Sequence, residues 1–190
     1  MGAGAIGRTH IDRIGRSPQL ALAGIADPTD AGRALADSLG VPWAASHGEL
    51  LERVKPQGAI VATPNATHVP VALDCLARGV AALVEKPVAD TVAEAQALVD
   101  AQARSGVPVL VGHHRRHNPI NRRAREITQS GRLGRLVSAH VQATFLKPDP
   151  YFDAAWRRSH GGGPLQINQI HHNDKQRFFM GEIVSVQAMG

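Results

Sequence analysis

The sequence predicts an α/β protein: a doubly wound parallel sheet with helices on both faces, followed by the opening of a second α/β unit. Three observations predict it. Short apolar segments alternate with longer helical ones through the first 111 residues, the order that builds a parallel sheet covered by helices. The chain opens on Gly2-Ala3-Gly4-Ala5-Ile6-Gly7, a G-x-G-x-x-G pattern that belongs between a buried strand and a helix. After Gly112 the character changes to a basic segment, then a stretch rich in Pro, Asp and aromatic residues, then a glycine run. The boundary is expected near residues 113–118, giving units 1–115 and 116–190.

Each element has a local reason. The first helix, 6–14, opens directly from the glycine loop. Residues 20–26 (LALAGIA) read as an apolar strand that stops at Asp27-Pro28. Residues 31–39 read as a helix that stops at Gly40, with Pro42 just beyond. Residues 58–62 (GAIVA) read as a buried strand, 69–77 as a helix stopped near Gly79, and 80–84 as the next strand. Thr91 with Glu94 three residues on forms a capping box for a helix over 92–104. Residues 107–111 (VPVLV) form a strand that Pro108 assigns to a sheet edge. Beyond the boundary a basic helix is expected over 119–130, a strand over 136–145, a last helix after Gly163, and a strand beginning at 184–189.

Composition narrows the class. Of 190 residues, 43% are hydrophobic and 19% charged, which suits a folded soluble chain. Aromatic content of 4% leaves the core to Ala, Val, Leu and Ile. The single cysteine, Cys75, excludes an internal disulfide framework and reads as a small buried hydrophobe in a cytoplasmic protein. No apolar run is long enough to span a bilayer, and no signal peptide opens the chain, so no membrane is expected. Ile6 stands where a myristoylation motif wants Ser or Thr. Much of the net charge of +5 comes from HHRRHNPINRRAR. That run has no interleaved aromatic to stack bases, so it reads as a solvated face and not as a nucleic-acid surface.

The chemistry is expected outside the carboxyl ends of the strands, where open α/β sheets bind ligands. There the three glycines make a tight turn, a close backbone approach to a pyrophosphate, and close helix–strand packing. The following helix aims free N–H groups at the anion. Asp27, about twenty residues on from Gly7, has the spacing of an acid that holds adenosine ribose hydroxyls. Its charge repels a 2′-phosphate, which favours NAD over NADP; a plain Asp-Pro turn is the alternative. Glu85-Lys86-Pro87 ends the 80–84 strand, and proline holds Lys86 extended and favours a cis bond. A lysine aimed in this way suits general acid/base work, whereas E-K-P alone would read as a solvated turn. In the segment 161–174, Asn168, His171 and Asp174 follow at intervals of three and share a helix face. A zinc site is the competing reading there, but no cysteine lies near and H-E-x-x-H is absent; no metal is expected.

In order, GAGAIGRTH, ADP, TPNATH, EKP, GHHRRHNP and GGGPLQINQIHHND resemble the Gfo/Idh/MocA family over essentially the whole chain. The resemblance implies a Rossmann domain followed by an α/β domain with a large open mixed sheet. It implies hydride transfer between NAD(P) and a hydroxyl carbon of a sugar, polyol or related small molecule. It assigns Lys86 and His171 to proton relay, with Asn168 beside the position where many members carry Asp. It places Gly2, Gly4, Ala5, Ile6, Gly7, Asp27, Thr63, Pro64, Asn65, His68, Glu85 and Lys86 around the cofactor and the substrate cleft. It also implies that full-length relatives are homo-oligomers through the sheet of the second domain.

Three departures set further expectations. No strand precedes the glycines, so the central strand of the doubly wound order is missing and the sheet should split or show two bare edges. The second domain stops at about half the usual length, and the last helix is polar at Gln166, Gln169, Asn173, Lys175 and Gln176. The reading frame is therefore expected to start upstream, or the gene to be a decayed remnant, with no native oligomer from this chain. A catalytically inactive fragment that retains at most nucleotide binding is the alternative function.

Overall fold

The structure, a computed structural model, describes residues 1–153, 155–158, 163 and 165–189. The chain divides into two compact units, Met1–Gly112 and His113–Gly190.

The first unit alternates helix and strand throughout. Helix α1 (Ala5–Gly15) leads to strand β1 (Ile25–Ala26), α2 (Asp30–Ser38), β2 (Trp43–Ala44) and α3 (His47–Val54). Then come β3 (Gly58–Val61), α4 (His68–Ala77), β4 (Ala81–Val84), α5 (Val92–Ser105) and β5 (Val109–Val111). All pairings are parallel. They form two sheets, β1-β2 and β3-β4-β5, with β5 on the edge that Pro108 signalled. The sheet is thus in two pieces, as expected.

Met1 and Gly2 hydrogen-bond to both pieces. Met1 N–H donates to the Ile60 carbonyl (2.7 Å), Ala62 N–H to the Met1 carbonyl (2.8 Å), and Gly2 N–H to the Ala26 carbonyl (2.8 Å). Behind this bridge an apolar cleft lined by Ile11, Ile14, Leu22, Leu50 and Ile60 opens between the sheets. The expected strand 20–26 is correspondingly short: only Ile25 and Ala26 enter a ladder, opposite Trp43 and Ala44. Residues 20–24 have no neighbouring strand to pair with, and hydrophobicity alone does not make a ladder.

Sequence reading passed over β2 and α3. The signal for α3 was present: Ser46 accepts the Glu49 N–H at 3.2 Å, and Leu50 and Leu51 follow on the buried face. The capping box on α5 forms as read. Thr91 accepts from Glu94 N–H, and the Glu94 carboxylate accepts from Thr91 N–H.

The main core gathers Leu51, Val61, Val69, Ala72, Cys75, Leu76, Val84 and Leu98 between β3-β4 and helices α4 and α5. Cys75 is fully buried there, and burial pushes its thiol up to about 11, an inert side chain.

The second unit contains α6 (Pro119–Gln129), capped by the Asn118 side chain, and α7 (Ile170–Met180), which continues a π turn over Leu165–Gln169. The expected strands at 136–145 and 184–189 do not form. Both segments run without ladder partners, with Val137, Phe145, Val184 and Val186 exposed. An extended apolar segment becomes a strand only opposite another edge. None of the polar residues Gln166, Gln169, Asn173, Lys175 and Gln176 of the last helix is fully buried. Its buried stripe is His171, Asp174 and Phe178, and the Asp174 charge is paired. Among the described residues no helix is long and apolar enough to cross a membrane.

Candidate functional site

The glycine loop is built as its spacing requires. Gly2 has φ +83°, and a Cβ there would lie 2.4 Å from the Ala62 carbonyl oxygen. A Cβ on Gly7 would lie 2.0 Å from the Gly2 oxygen. Gly4 differs: a Cβ there would meet nothing within 4 Å, so its face is open to a ligand. Helix α1 starts at Ala5-Ile6 with no side-chain cap and no acid in its first turn, leaving N–H donors and the positive dipole end for an anion.

Asp27 stands beside this loop at the end of β1. Its carboxylate accepts Ala3 N–H at 2.6 Å, Thr29 N–H at 2.9 Å and the Thr29 hydroxyl. Gly32 packs directly under it, since a Cβ there would lie 2.5 Å from the Asp27 Cβ. Burial pushes the Asp27 carboxyl up, but the hydrogen bonds from Thr29 and Ala3 outweigh it and hold the group below its ordinary 3.8. The acid is therefore a fixed anion. Trp43 Nε1–H donates to the Asp27 carbonyl (2.9 Å), and the Arg33 guanidinium lies 5.3 Å over the Trp43 ring. Sequence reading missed this arginine, because only the fold brings residues 27, 33 and 43 together.

Two further strand ends complete the carboxyl edge of the first unit. After β3, Thr63-Pro64-Asn65 abuts the glycine loop: a Cβ on Gly2 would lie 2.9 Å from Thr63 N. Thr63 Oγ1 is buried with no hydrogen-bond partner among the described residues. After β4 comes Glu85-Lys86-Pro87, with the Lys86–Pro87 bond cis. Glu85 is 5% exposed; its carboxylate meets His10 Nε2 at 2.7 Å and accepts Lys86 N–H at 3.2 Å. Burial raises this carboxyl, while hydrogen bonds from His10 and Lys86 and the charges of both bring it below its ordinary 4.5. The Lys86 side chain is half-buried.

His68 differs from the expectation that it lines the cleft. It is 1% exposed, with Nδ1 2.7 Å from the Pro87 carbonyl and Nε2 2.9 Å from the Thr63 carbonyl. As the first residue of α4 it points into the protein and fastens the two loops.

In the second unit, α7 carries His171 and Asp174 on its buried face. The His171 ring lies edge-on to His114, centroids 4.9 Å apart. Asp174 accepts from Arg116 Nε at 2.9 and 3.0 Å and from Arg116 Nη2 at 2.6 Å, with His113 Nδ1 at 3.7 Å. The Arg116 and Arg125 guanidiniums lie over Phe178 at 5.5 and 4.4 Å. His172 is held below its ordinary 6.5 by burial and by the positive charges of Arg115 and Lys175. Asn168 lies in the π turn, where the three-residue spacing of an α-helix no longer defines a shared face with His171. Of the expected glycine run, Gly161, Gly162 and Pro164 lie outside the described residues, and Gly163 has open space around it. No three His, Cys, Asp or Glu side chains converge on a metal position among the described residues.

Comparison with known proteins agrees with this anatomy. Residues 1–113 match the family model described as "Oxidoreductase family, NAD-binding Rossmann fold", and residues 121–190 match the "GFO/IDH/MocA C-terminal domain". The rhizopine catabolism protein MocA of Rhizobium meliloti is 31% identical over 183 residues, which cover 96% of this chain and 56% of that protein. Inositol 2-dehydrogenase 2 of Saccharopolyspora erythraea is 29% identical over 194 residues, 99% of this chain and 55% of that protein. The chain spans about half the length of the curated relatives it matches. The WlbA dehydrogenase of Bordetella pertussis, crystallised with NADH and UDP-GlcNAcA, superposes with a TM-score of 0.89 at 24% identity, over 95% of this chain and 54% of that one. That likeness establishes the fold. An NAD-binding Rossmann match followed by a match to the family's C-terminal domain places the chain in the Gfo/Idh/MocA oxidoreductase family.

Proposed function

We propose that this chain carries the cofactor half and part of the substrate half of a dehydrogenase that oxidises a hydroxyl carbon of a sugar, polyol or related small molecule. The observation that carries the reading lies within the first unit. The Asp27 anion and the Lys86 turn stand at the carboxyl ends of the parallel strands β1 and β4, and the loop with the open face at Gly4 and the uncapped start of α1 is fastened to Asp27 through Ala3 N–H.

These residues fit NAD. The N–H groups at Ala5, Ile6 and Gly7 would hold the pyrophosphate, Asp27 would accept from the ribose hydroxyls, and Thr63, Pro64 and Asn65 would line the nicotinamide side. When bound, NAD supplies the two-electron acceptor for the hydrogen leaving the hydroxyl carbon. Lys86 takes the hydroxyl proton as the C–O bond becomes a carbonyl and returns it in the reverse direction. His171 is the second proton-handling residue, held by its place on α7, and Asn168 supplies a hydrogen-bonding amide nearby in sequence. Asp27 disfavours a 2′-phosphate, so NAD is preferred to NADP. The inositol 2-dehydrogenase among the relatives points the substrate class to polyols such as inositol.

A panel of inositols, sugars and sugar acids, incubated with NAD and followed at the NADH absorbance, tests the reading. Turnover that Lys86→Ala and His171→Ala each reduce by about a hundredfold is expected. Saturable NADH binding without turnover on any polyol would favour the second reading, a nucleotide-binding module without catalysis. The unpaired segments 136–145 and 184–189 are the observation on that side.

A further inference from the structure

The two residues that flank Lys86 are each fastened by a histidine from a different helix. On the amino side, Glu85 is buried, and its carboxylate is fixed by His10 Nε2 at 2.7 Å from α1 and by Lys86 N–H at 3.2 Å. Gly112 closes the space behind it: a Cβ there would lie 3.0 Å from the carboxyl carbon and from both oxygens. A carboxylate at that distance requires a donor, so the His10 tautomer carries its proton on Nε2. On the carboxyl side, the Pro87 carbonyl faces His68 Nδ1 at 2.7 Å, and the other nitrogen of the same ring faces the Thr63 carbonyl at 2.9 Å.

We propose that His10 and His68 form a bracket that sets the direction of the Lys86 side chain and ties it to helix α1 and to the Thr63 loop. Neither ring reaches the reacting atoms, so both are positioning residues. The chemical need is clear: a base that wanders by an ångström loses most of its advantage, and the backbone at residues 85–87 decides where the lysine side chain leaves the chain. Anchoring the chain on both sides of residue 86 fixes the direction of its Cα–Cβ bond. The bracket deepens the function proposed above, because its effect on turnover rests on Lys86 being the proton-transfer residue.

The test separates the two claims. Trace acetylation with acetic anhydride, read by peptide mass spectrometry, reports Lys86 accessibility in the whole chain, with exposed Lys55 as internal reference. Loss of the His10 hydrogen bond in His10→Ala should raise Lys86 labelling about fivefold relative to Lys55. His10→Gln, whose amide donates to Glu85, should return it towards the wild-type value. Should His10→Ala not fold, His10→Phe makes the same comparison with the ring volume kept. Equal labelling of wild type and the non-donor variant, or no recovery with His10→Gln, overturns the bracket. Where turnover is measurable, the non-donor variant should lose about tenfold in kcat with NADH affinity within about twofold. A wild-type chain that binds NADH but turns nothing over would overturn the proposed function, and the labelling would still decide the bracket.

Discussion

Gly4 and Gly7 stand three residues apart in one loop, and alanine at each should have opposite consequences. At Gly7 a methyl would lie 2.0 Å from the Gly2 oxygen, where ordinary contact begins at 3.4 Å, and both neighbours are backbone. Helix α1 must then retreat by more than about 1 Å from the loop, an overpacking that costs about 1–3 kcal/mol. For a unit of this size about 2 kcal/mol lowers Tm by roughly 8–16 °C. At Gly4 the backbone is extended (φ −68°, ψ −170°) and the new methyl would meet no protein atom. Stability should fall by less than about 1 kcal/mol, the scale of a helix-cap change. The methyl does, however, occupy the path of the pyrophosphate. Losing one charge-assisted hydrogen bond, about 1.5–3 kcal/mol, weakens NADH roughly 10- to 150-fold. Thermal melts and NADH fluorescence titration on the same samples decide it. The reasoning is refuted if Gly4→Ala binds like wild type, or if Gly7→Ala melts with it.

Four further outcomes are expected. Asp27→Asn should narrow the preference for NADH over NADPH by about tenfold, because it removes the charge that repels a 2′-phosphate; competitive titration of both cofactors measures it. Asp27 and Glu85 both sit below their ordinary carboxyl values, so the stability they confer is full above those values and is lost as pH falls through the lower folded ones. Tm against pH should therefore drop steeply below about pH 4, and more shallowly in Asp27→Asn; parallel curves would contradict the assignment. Asp174→Ala removes the partner of Arg116 on the buried face of α7, and amide exchange over residues 171–180 should accelerate about tenfold. Cys75 should stay unmodified by thiol reagents in the native chain and react fully in denaturant.

Local chemistry was legible wherever a few neighbouring residues decide the outcome. The glycine loop, the Thr91–Glu94 capping box, the Gly40 and Gly79 stops and the edge position after Pro108 all depend on residues within one turn of each other. Strands were less legible, because a ladder needs a partner. Residues 20–24 and 136–145 are apolar enough but have no adjacent edge, whereas the two-residue β2 forms because β1 lies opposite. The site split in the same way. The strand-end positions of Asp27 and Lys86 could be read from the sequence. The contacts of Glu85 with His10, 75 residues away, and of His68 with Pro87, 19 residues away, exist only through the fold. His68 was accordingly read as a cleft residue although it is a buried fastener.

The most direct measurement is a titration of the 190-residue chain with NADH and, in parallel, NADPH, following cofactor fluorescence. The account predicts saturable binding, tighter for NADH, with about one cofactor per chain. A folded chain that saturates with neither cofactor, or that prefers NADPH despite the Asp27 anion, would contradict it.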